Sequence, residues 1–210
     1  MKENKILYKI LKIIYSSLLK TLYKPKVKGT EKILEQGPII FVGNHRHAFD
    51  PIVVMTYTKR IIHYMAKEEL FKGIHGIILK KIGLIKIYRT KSNPTAVVEA
   101  VEILKQGGAV GIFPEGHRNR TDQELLKFKH GAVAIAKQVG AKIIPFAIRG
   151  QYKILKKGLE IEFGEPVDIS QMEIEEANNY IRNEVLKIYR KQEKDEIYIY
   201  NKWKSGKRKM

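Results

Sequence analysis

The sequence contains no cysteine, so disulfides, thiolate zinc sites and a thiol nucleophile are excluded by stoichiometry. That fits a reducing compartment. Acidic residues are scarce: 22 stand against 40 basic ones, for a formal charge of +18 and an isoelectric point near 9.8. The imbalance points to an anionic partner, whether nucleic acid, anionic lipid or a phosphorylated or acidic substrate; a Lys- and Ile-rich compositional bias is the plainer reading of the same numbers. Arginine is scarce too, nine of the 40 basic residues. Because arginine is the usual bidentate reader of guanine edges, this leans away from sequence-specific DNA binding. Long hydrophobic runs are missing: no stretch approaches the roughly 18 to 20 apolar residues of a spanning helix. Lysines at 2, 5, 9, 12, 20 and 24 break every N-terminal apolar run, with no small-residue cleavage site after them, so no signal peptide is expected and the mature protein is expected to start at Met1. P-loop and Rossmann glycine patterns and the G-x-S-x-G elbow are absent as well.

What is present suits one domain, since 210 residues lie near the roughly 100 to 200 typical of one core. Ile6, Leu7, Ile10, Leu11, Ile14, Leu18 and Leu22 recur at helical spacing across residues 5–24, with lysines on the remaining arc and tyrosines interspersed. This basic amphipathic helix either packs on the core or lies in a lipid headgroup region. From residue 38 short strand-like runs alternate with helical ones. Strands are expected at 38–43, 61–66, 84–89, 109–113, 142–148 and 159–163, and helices at 51–59, 68–81, 95–106, 124–139 and 171–193. The alternation predicts an α/β fold, a single domain whose mixed, largely parallel sheet is flanked by helices and preceded by the amphipathic helix. Segment boundaries fall at 1–28 for that helix, 29–193 for the α/β domain and 194–210 for a basic tail. The last ten residues, NKWKSGKRKM, read as a solvated tail or as a tryptophan-bearing contact to an anionic membrane.

In open α/β sheets, ligands sit beyond the carboxyl ends of the strands. The residues after the predicted strands are Asn44-His45-Arg46-His47-Ala48-Phe49-Asp50, then Arg89-Thr90-Lys91, then Pro114-Glu115-Gly116-His117-Arg118-Asn119-Arg120, then Arg149 and Gly150. Asp50-Pro51 reads as a helix start, with Asp as the cap and Pro in the first turn. Five residues on a continuous helix would hold His45 and Asp50 roughly 140° apart, but a turn between strand and helix brings them within reach. A histidine held by a carboxylate is a general base of fixed tautomer. With no serine or cysteine beside it, the nucleophile should come from the substrate, an alcohol being the natural candidate. Metal binding competes, but H-x-H-x-x-D is one residue out from the metallo-hydrolase pattern H-x-H-x-D-H, and His63, His75, His117 and His130 show no ligand pairing. Gly116 lets backbone approach a ligand, and Arg118 offers a bidentate fork to phosphate; a plain surface turn with solvated charges accounts for the same stretch.

The chain resembles the glycerolipid acyltransferases of the 1-acyl-glycerol-3-phosphate acyltransferase type. Four ordered blocks carry the resemblance: NHRHAFD at Asn44–Asp50 as the N-H-x-x-x-x-D block, GLIKIYRT, IFPEGHR and IIPFAIRG, with MAKEELF and FKHG besides. It spans about residues 26–167. The resemblance implies that His45 deprotonates the acceptor hydroxyl, that Asp50 orients His45, and that the hydroxyl attacks an acyl-carrier-protein or coenzyme A thioester to give phosphatidic acid in phospholipid biosynthesis. It further implies that Asn44, Arg89, Glu115, Gly116, Arg118 and Lys129 contact substrate, that Pro145 shapes the floor, and that no metal or other cofactor is needed. The implied partners are lysophosphatidic acid, the thioester donor and an anionic membrane surface, with no nucleic acid, at the cytoplasmic face of the cell membrane. Glycerol 3-phosphate or another lysolipid as acceptor is the nearest alternative, and a non-catalytic basic binding module a remote one. His47 and His117 depart from the family pattern, where serine and threonine are frequent, and His47 could compete for Asp50.

Overall fold

The N-terminal segment shows how the chain divides its apolar residues. The computed structural model describes residues 3–88 and 93–207, with side chains as far as Lys191. Helix α1 (Lys5–Tyr23) starts at Asn4, whose side chain accepts the Leu7 N–H at 2.9 Å, and leaves through Lys24 in the left-handed region at φ 42°. The stripe that α1 turns to the protein is mainly polar and aromatic. The Tyr8 hydroxyl accepts the Ile62 N–H at 3.1 Å, Lys12 donates to the Thr58 carbonyl, Ser16 and Thr56 hydroxyls lie 3.0 Å apart, and Leu19 is buried. Most of the aliphatic stripe faces outward instead: Ile6 is 73% exposed, and Ile10, Ile13, Ile14 and Leu18 are exposed with it, while Leu7, Leu11 and Leu22 are half-buried.

The remaining elements, in chain order, are β1 (Lys26–Lys28), β2 (Ile39–Gly43), α2 (Asp50–Thr56), β3 (Ile62–Lys67), α3 (Gly73–Lys81), β4 (Ile85–Ile87), α4 (Pro94–Lys105), β5 (Ala109–Ile112), α5 (Gly131–Val139), β6 (Lys142–Arg149), β7 (Glu160–Phe163) and α6 (Ile174–Lys207). The seven strands form one sheet in the order β1-β7-β6-β2-β5-β3-β4. Among the described strands only β6 and β7 pair antiparallel, so the sheet is mixed and mostly parallel, as the alternating pattern predicted. Every residue of β2 and of β5 is buried, the mark of parallel strands covered on both faces. Ile40, Val42, Val110 and Ile143 pack beneath α4, α5 and α6. Ile39, Phe41, Ile144, Phe146 and Phe163 pack on the other face with α2 and Leu19 of α1. Each buried side chain of this kind contributes about 1.5–3 kcal/mol.

The helix expected at 68–81 opens as a 3-10 turn over Glu68–Phe71 and is α-helical only from Gly73, and three further elements differ more from expectation. β1 carries no pattern in sequence, a Lys-Val-Lys triplet that becomes a strand only because β7 pairs with it. The turn after it needs Gly29: its φ is 76° and an added Cβ would lie 2.2 Å from the Phe163 carbonyl oxygen. The helix expected at 124–139 begins only at Gly131. Residues before it keep their apolar side chains inside, Leu125 and Phe128 being buried, but their backbone groups bond elsewhere. Arg182 donates to the Leu125 and Leu126 carbonyls, Asn178 to the Phe128 carbonyl, and Lys129 N–H to the Pro114 carbonyl. Tertiary partners displace the helical ladder there. The last helix, expected to end at 193, runs on to Lys207 and so crosses the tail boundary expected at 194.

Candidate active site

The carboxyl ends of β2 and β5 are neighbours in the sheet, and the loops that follow them meet over His45. Asp50 is not the helix cap. It is the first helical residue, Phe49 holds the cap position without a side-chain bond, and Pro51 follows. The Asp50 carboxylate, fully buried, turns back into its own loop. Its Oδ2 accepts the backbone N–H groups of Arg46 and His47, each at 2.7 Å, and lies 2.8 Å from His45 Nδ1. An acceptor already facing two amides requires that Nδ1 carry the proton, which leaves Nε2 with its lone pair. The His45 side chain is 19% exposed, and Nε2 has no partner among the described residues. Its ring stacks on Phe113, centroids 4.3 Å apart.

Two further bonds pin His45 by its backbone. Its N–H donates to Glu115 Oε1 at 2.9 Å, and its carbonyl accepts the Asn119 N–H at 2.6 Å. Glu115 Oε2 accepts the Leu126 N–H at 3.1 Å. Glu115 is therefore largely buried and bonded to amides, which fixes the loops, and it also lines the cavity beside His117. Its burial raises the carboxyl's pKa, against the amide bonds from His45 and Leu126 and the nearby histidines, which lower it. Asn44 is likewise interior: its side chain donates to the Ile148 carbonyl at 2.9 Å and accepts the Ile148 N–H at 2.8 Å, tying the end of β2 to β6.

Pro145 lies buried within β6. Alternation along β6 puts it on the side of Ile143 and Ala147, under α6, and an added Cβ on Gly164 would meet Pro145 and Ile188 together. Arg149 is not presented to the site. Its guanidinium is buried against Glu160 at 2.8 Å and Glu162 at 3.0 Å and donates to the Ile188 carbonyl.

Arg118 is half-buried and has no ion pair among the described residues, while His117 and Lys129 are exposed. Gly116, at φ 75°, leaves room for the Lys129 chain, whose Cε and Nζ would lie 3.0 Å from an added Cβ. A cavity of about 440 Å³ opens between Glu115, His117 and residues Leu126 to His130. Arg89 lies outside the described residues. His47 does not compete for Asp50 through its ring: Nδ1 accepts the Phe49 N–H at 3.2 Å and the ring stacks on Tyr152, centroids 4.0 Å apart. Sequence reasoning missed Tyr152, Phe113 and Asn119. Phe113 stands inside the IFPEGHR block, Asn119 just after it and Tyr152 two residues past IIPFAIRG, but a block gives no side-chain direction.

The site thus presents a proton acceptor oriented by a buried carboxylate, beside a cationic rim. A family model described as acyltransferase matches residues 24–149, more than half of the chain. Among curated proteins, the 1-acyl-sn-glycerol-3-phosphate acyltransferase of Borreliella burgdorferi is 28% identical over 176 residues, 77% of this chain and 70% of that one. Its counterpart in Bacillus subtilis is 40% identical over 111 residues, 50% of this chain and 54% of that one. The Streptococcus pneumoniae counterpart is 31% identical over 170 residues, 74% and 62% respectively. The latter two matches therefore span less than two thirds of the relative's length. The crystal structure of the 1-acyl-sn-glycerophosphate acyltransferase from Thermotoga maritima superposes with a TM-score of 0.72 at 25% identity, covering 90% of this chain and 79% of that one.

Proposed function

The chain belongs to the acyltransferase family, and from that premise we propose that it transfers a fatty acyl group from a thioester to the free hydroxyl of 1-acyl-glycerol-3-phosphate. The observation that carries this reading is the 2.8 Å contact of His45 Nδ1 with buried Asp50, which leaves Nε2 open. Nε2 takes the proton of the acceptor hydroxyl as its oxygen attacks the thioester carbonyl carbon. The carbon–sulfur bond then breaks, and the departing thiolate recovers the proton from Nε2. Neither an acyl-enzyme nor a metal or redox cofactor is needed. A positioned base contributes roughly 100- to 10,000-fold, so bringing acceptor and thioester together supplies much of the remainder. Arg118 and Lys129, with Arg89, are the cations proposed to hold the acceptor phosphate. Asn44 and Glu115 serve by fixing the loops. The donor is an acyl carrier protein or coenzyme A thioester.

No helix among the described residues is long and apolar enough to cross a membrane. We propose that the protein docks peripherally on the cytoplasmic face. The outward aliphatic stripe of α1 supports this, as do the exposed Leu70, Ile74 and Ile77 around α3 and Ile154 and Leu155 beyond β6. Backbone bonds tie these segments to α1, Asn4 N–H to the Lys81 carbonyl at its start and Leu155 N–H to the Leu22 carbonyl at its end. Lysines accompany each, and anionic lipid contributes about 1 kcal/mol per nearby basic residue.

The test is acyl transfer by the purified protein in lipid vesicles, offered lysophosphatidic acid, glycerol 3-phosphate and other lysolipids. His45→Ala should lower the rate at least about 100-fold, Asp50→Ala nearly as far, and His47→Ala much less. Undiminished transfer by His45→Ala rejects the base assignment.

A further inference from the structure

The proposed base is oriented by one oxygen of Asp50, which leaves the question of what orients Asp50. Oδ2 is held by two amides and His45, while Oδ1 accepts a hydrogen bond from the Tyr152 hydroxyl at 2.6 Å. That length lies in the range of charge-assisted O–H···O⁻ bonds, about 2.5–2.7 Å. Asp50 is fully buried, so no water replaces this donor at low cost. The carboxylate can rotate about its Cβ–Cγ bond unless both oxygens are fixed. Amides on one side and the phenol on the other hold it with Oδ2 toward His45 Nδ1.

Tyr152 is itself held from three directions. Its ring stacks on His47 at 4.0 Å and 21°, meets Tyr23 at the end of α1 edge-on at 5.5 Å and 78°, and lies 6.2 Å from Phe49. Burial, then the charge of Asp50, raises the phenol's pKa, so it stays a donor across the working range. Tyr152 falls two residues past the IIPFAIRG block, and no motif marks it.

We infer that Tyr152 is a positioning residue for acyl transfer, acting through Asp50 to aim the His45 base, with the His47 and Tyr23 rings holding it in place. This rests on the reading of His45 as the base. It also gives His47 a role: the imidazole is a platform for Tyr152.

Tyr152→Phe keeps the ring and its stacking and removes only the hydroxyl. With the full chain in vesicles, kcat should fall about tenfold, as expected for loss of one hydrogen bond to a charged group, with KM for the acceptor within about twofold. In an Asp50→Asn background the same substitution should change the residual rate less than about twofold, because the group through which it acts is already altered. A fall of equal size in both backgrounds, or none in the first, overturns the inference. A second readout is independent of turnover. The His45 Nδ1 proton, bonded to Asp50, should give a low-field proton resonance that is lost in Asp50→Asn and displaced in Tyr152→Phe; an unmoved resonance also overturns the inference. Full activity in His45→Ala, by contrast, rejects the base reading itself while leaving the resonance test of the Tyr152–Asp50 linkage standing.

Discussion

His45 and Asp50 owe their geometry to neighbours that do no chemistry, which makes those neighbours sharp places to test the structure. Asn44 satisfies both backbone groups of Ile148 from inside the core. Asn44→Ala leaves a buried N–H and a buried carbonyl unpaired, and should cost about 2–4 kcal/mol in urea denaturation. Tyr64 offers the opposite case. Its ring stacks near Phe113, but its buried hydroxyl has no hydrogen-bond partner among the described residues. Tyr64→Phe removes an unsatisfied group and fills the same space, so stability should hold or rise by up to about 1 kcal/mol; a clear loss would mean the hydroxyl has a partner. The His45–Asp50 pairing was legible as a possibility from the strand-then-helix context. The employment of Glu115 on amides was not, because a glutamate in a Pro-Glu-Gly turn looks the same in sequence whether its carboxylate faces ligand or backbone.

At the scale of elements, α1 inverts the usual arrangement. A surface helix ordinarily buries its aliphatic stripe and exposes its polar one. Here Tyr8, Lys12 and Ser16 anchor the helix while the isoleucines face out. Replacing Ile10 and Ile14 by Asp should therefore leave folding intact within about 0.5 kcal/mol, as for exposed positions, yet sharply reduce sedimentation with anionic vesicles. Unchanged vesicle binding would show that α1 is not the docking element. The periodicity of residues 5–24 announced a helix, but periodicity is symmetric between a core and a bilayer, and only packing tells them apart. The 124–130 segment failed as a helix for a related reason: its apolar spacing was right, but Arg182, Asn178 and Glu115 claimed its backbone groups.

For the whole molecule, charge governs two responses. With +18 overall, association with anionic vesicles should weaken steadily as salt rises, since the Debye length shrinks from about 10 Å at 0.1 M to about 3 Å at 1 M. Acid stability follows from Glu162 on β7. Burial pushes the Glu162 carboxyl up, but hydrogen bonds and charge from Lys191 and Arg149 outweigh it and leave its pKa below the ordinary 4.5. A lowered carboxylate contributes stability that is present above the unfolded-state value and lost as pH falls through the folded one. Urea midpoints should therefore drop below pH 4.5, and Glu162→Gln should flatten that part of the curve; the raised Glu115 works in the opposite sense, its contribution lost as pH rises. The sequence alone determined the α/β alternation, the strand-end gathering of His45, Asp50 and Arg118, and the family, because these depend on local spacing and on short ordered blocks. Tertiary structure decided which face of α1 is free, that Arg149 is paired inside the sheet with Glu160 and Glu162, and that Tyr152 bonds the second oxygen of the Asp50 carboxylate. Each of those depends on side-chain direction and on partners distant along the chain, 102 residues in the case of Tyr152 and Asp50, and no local pattern encodes them.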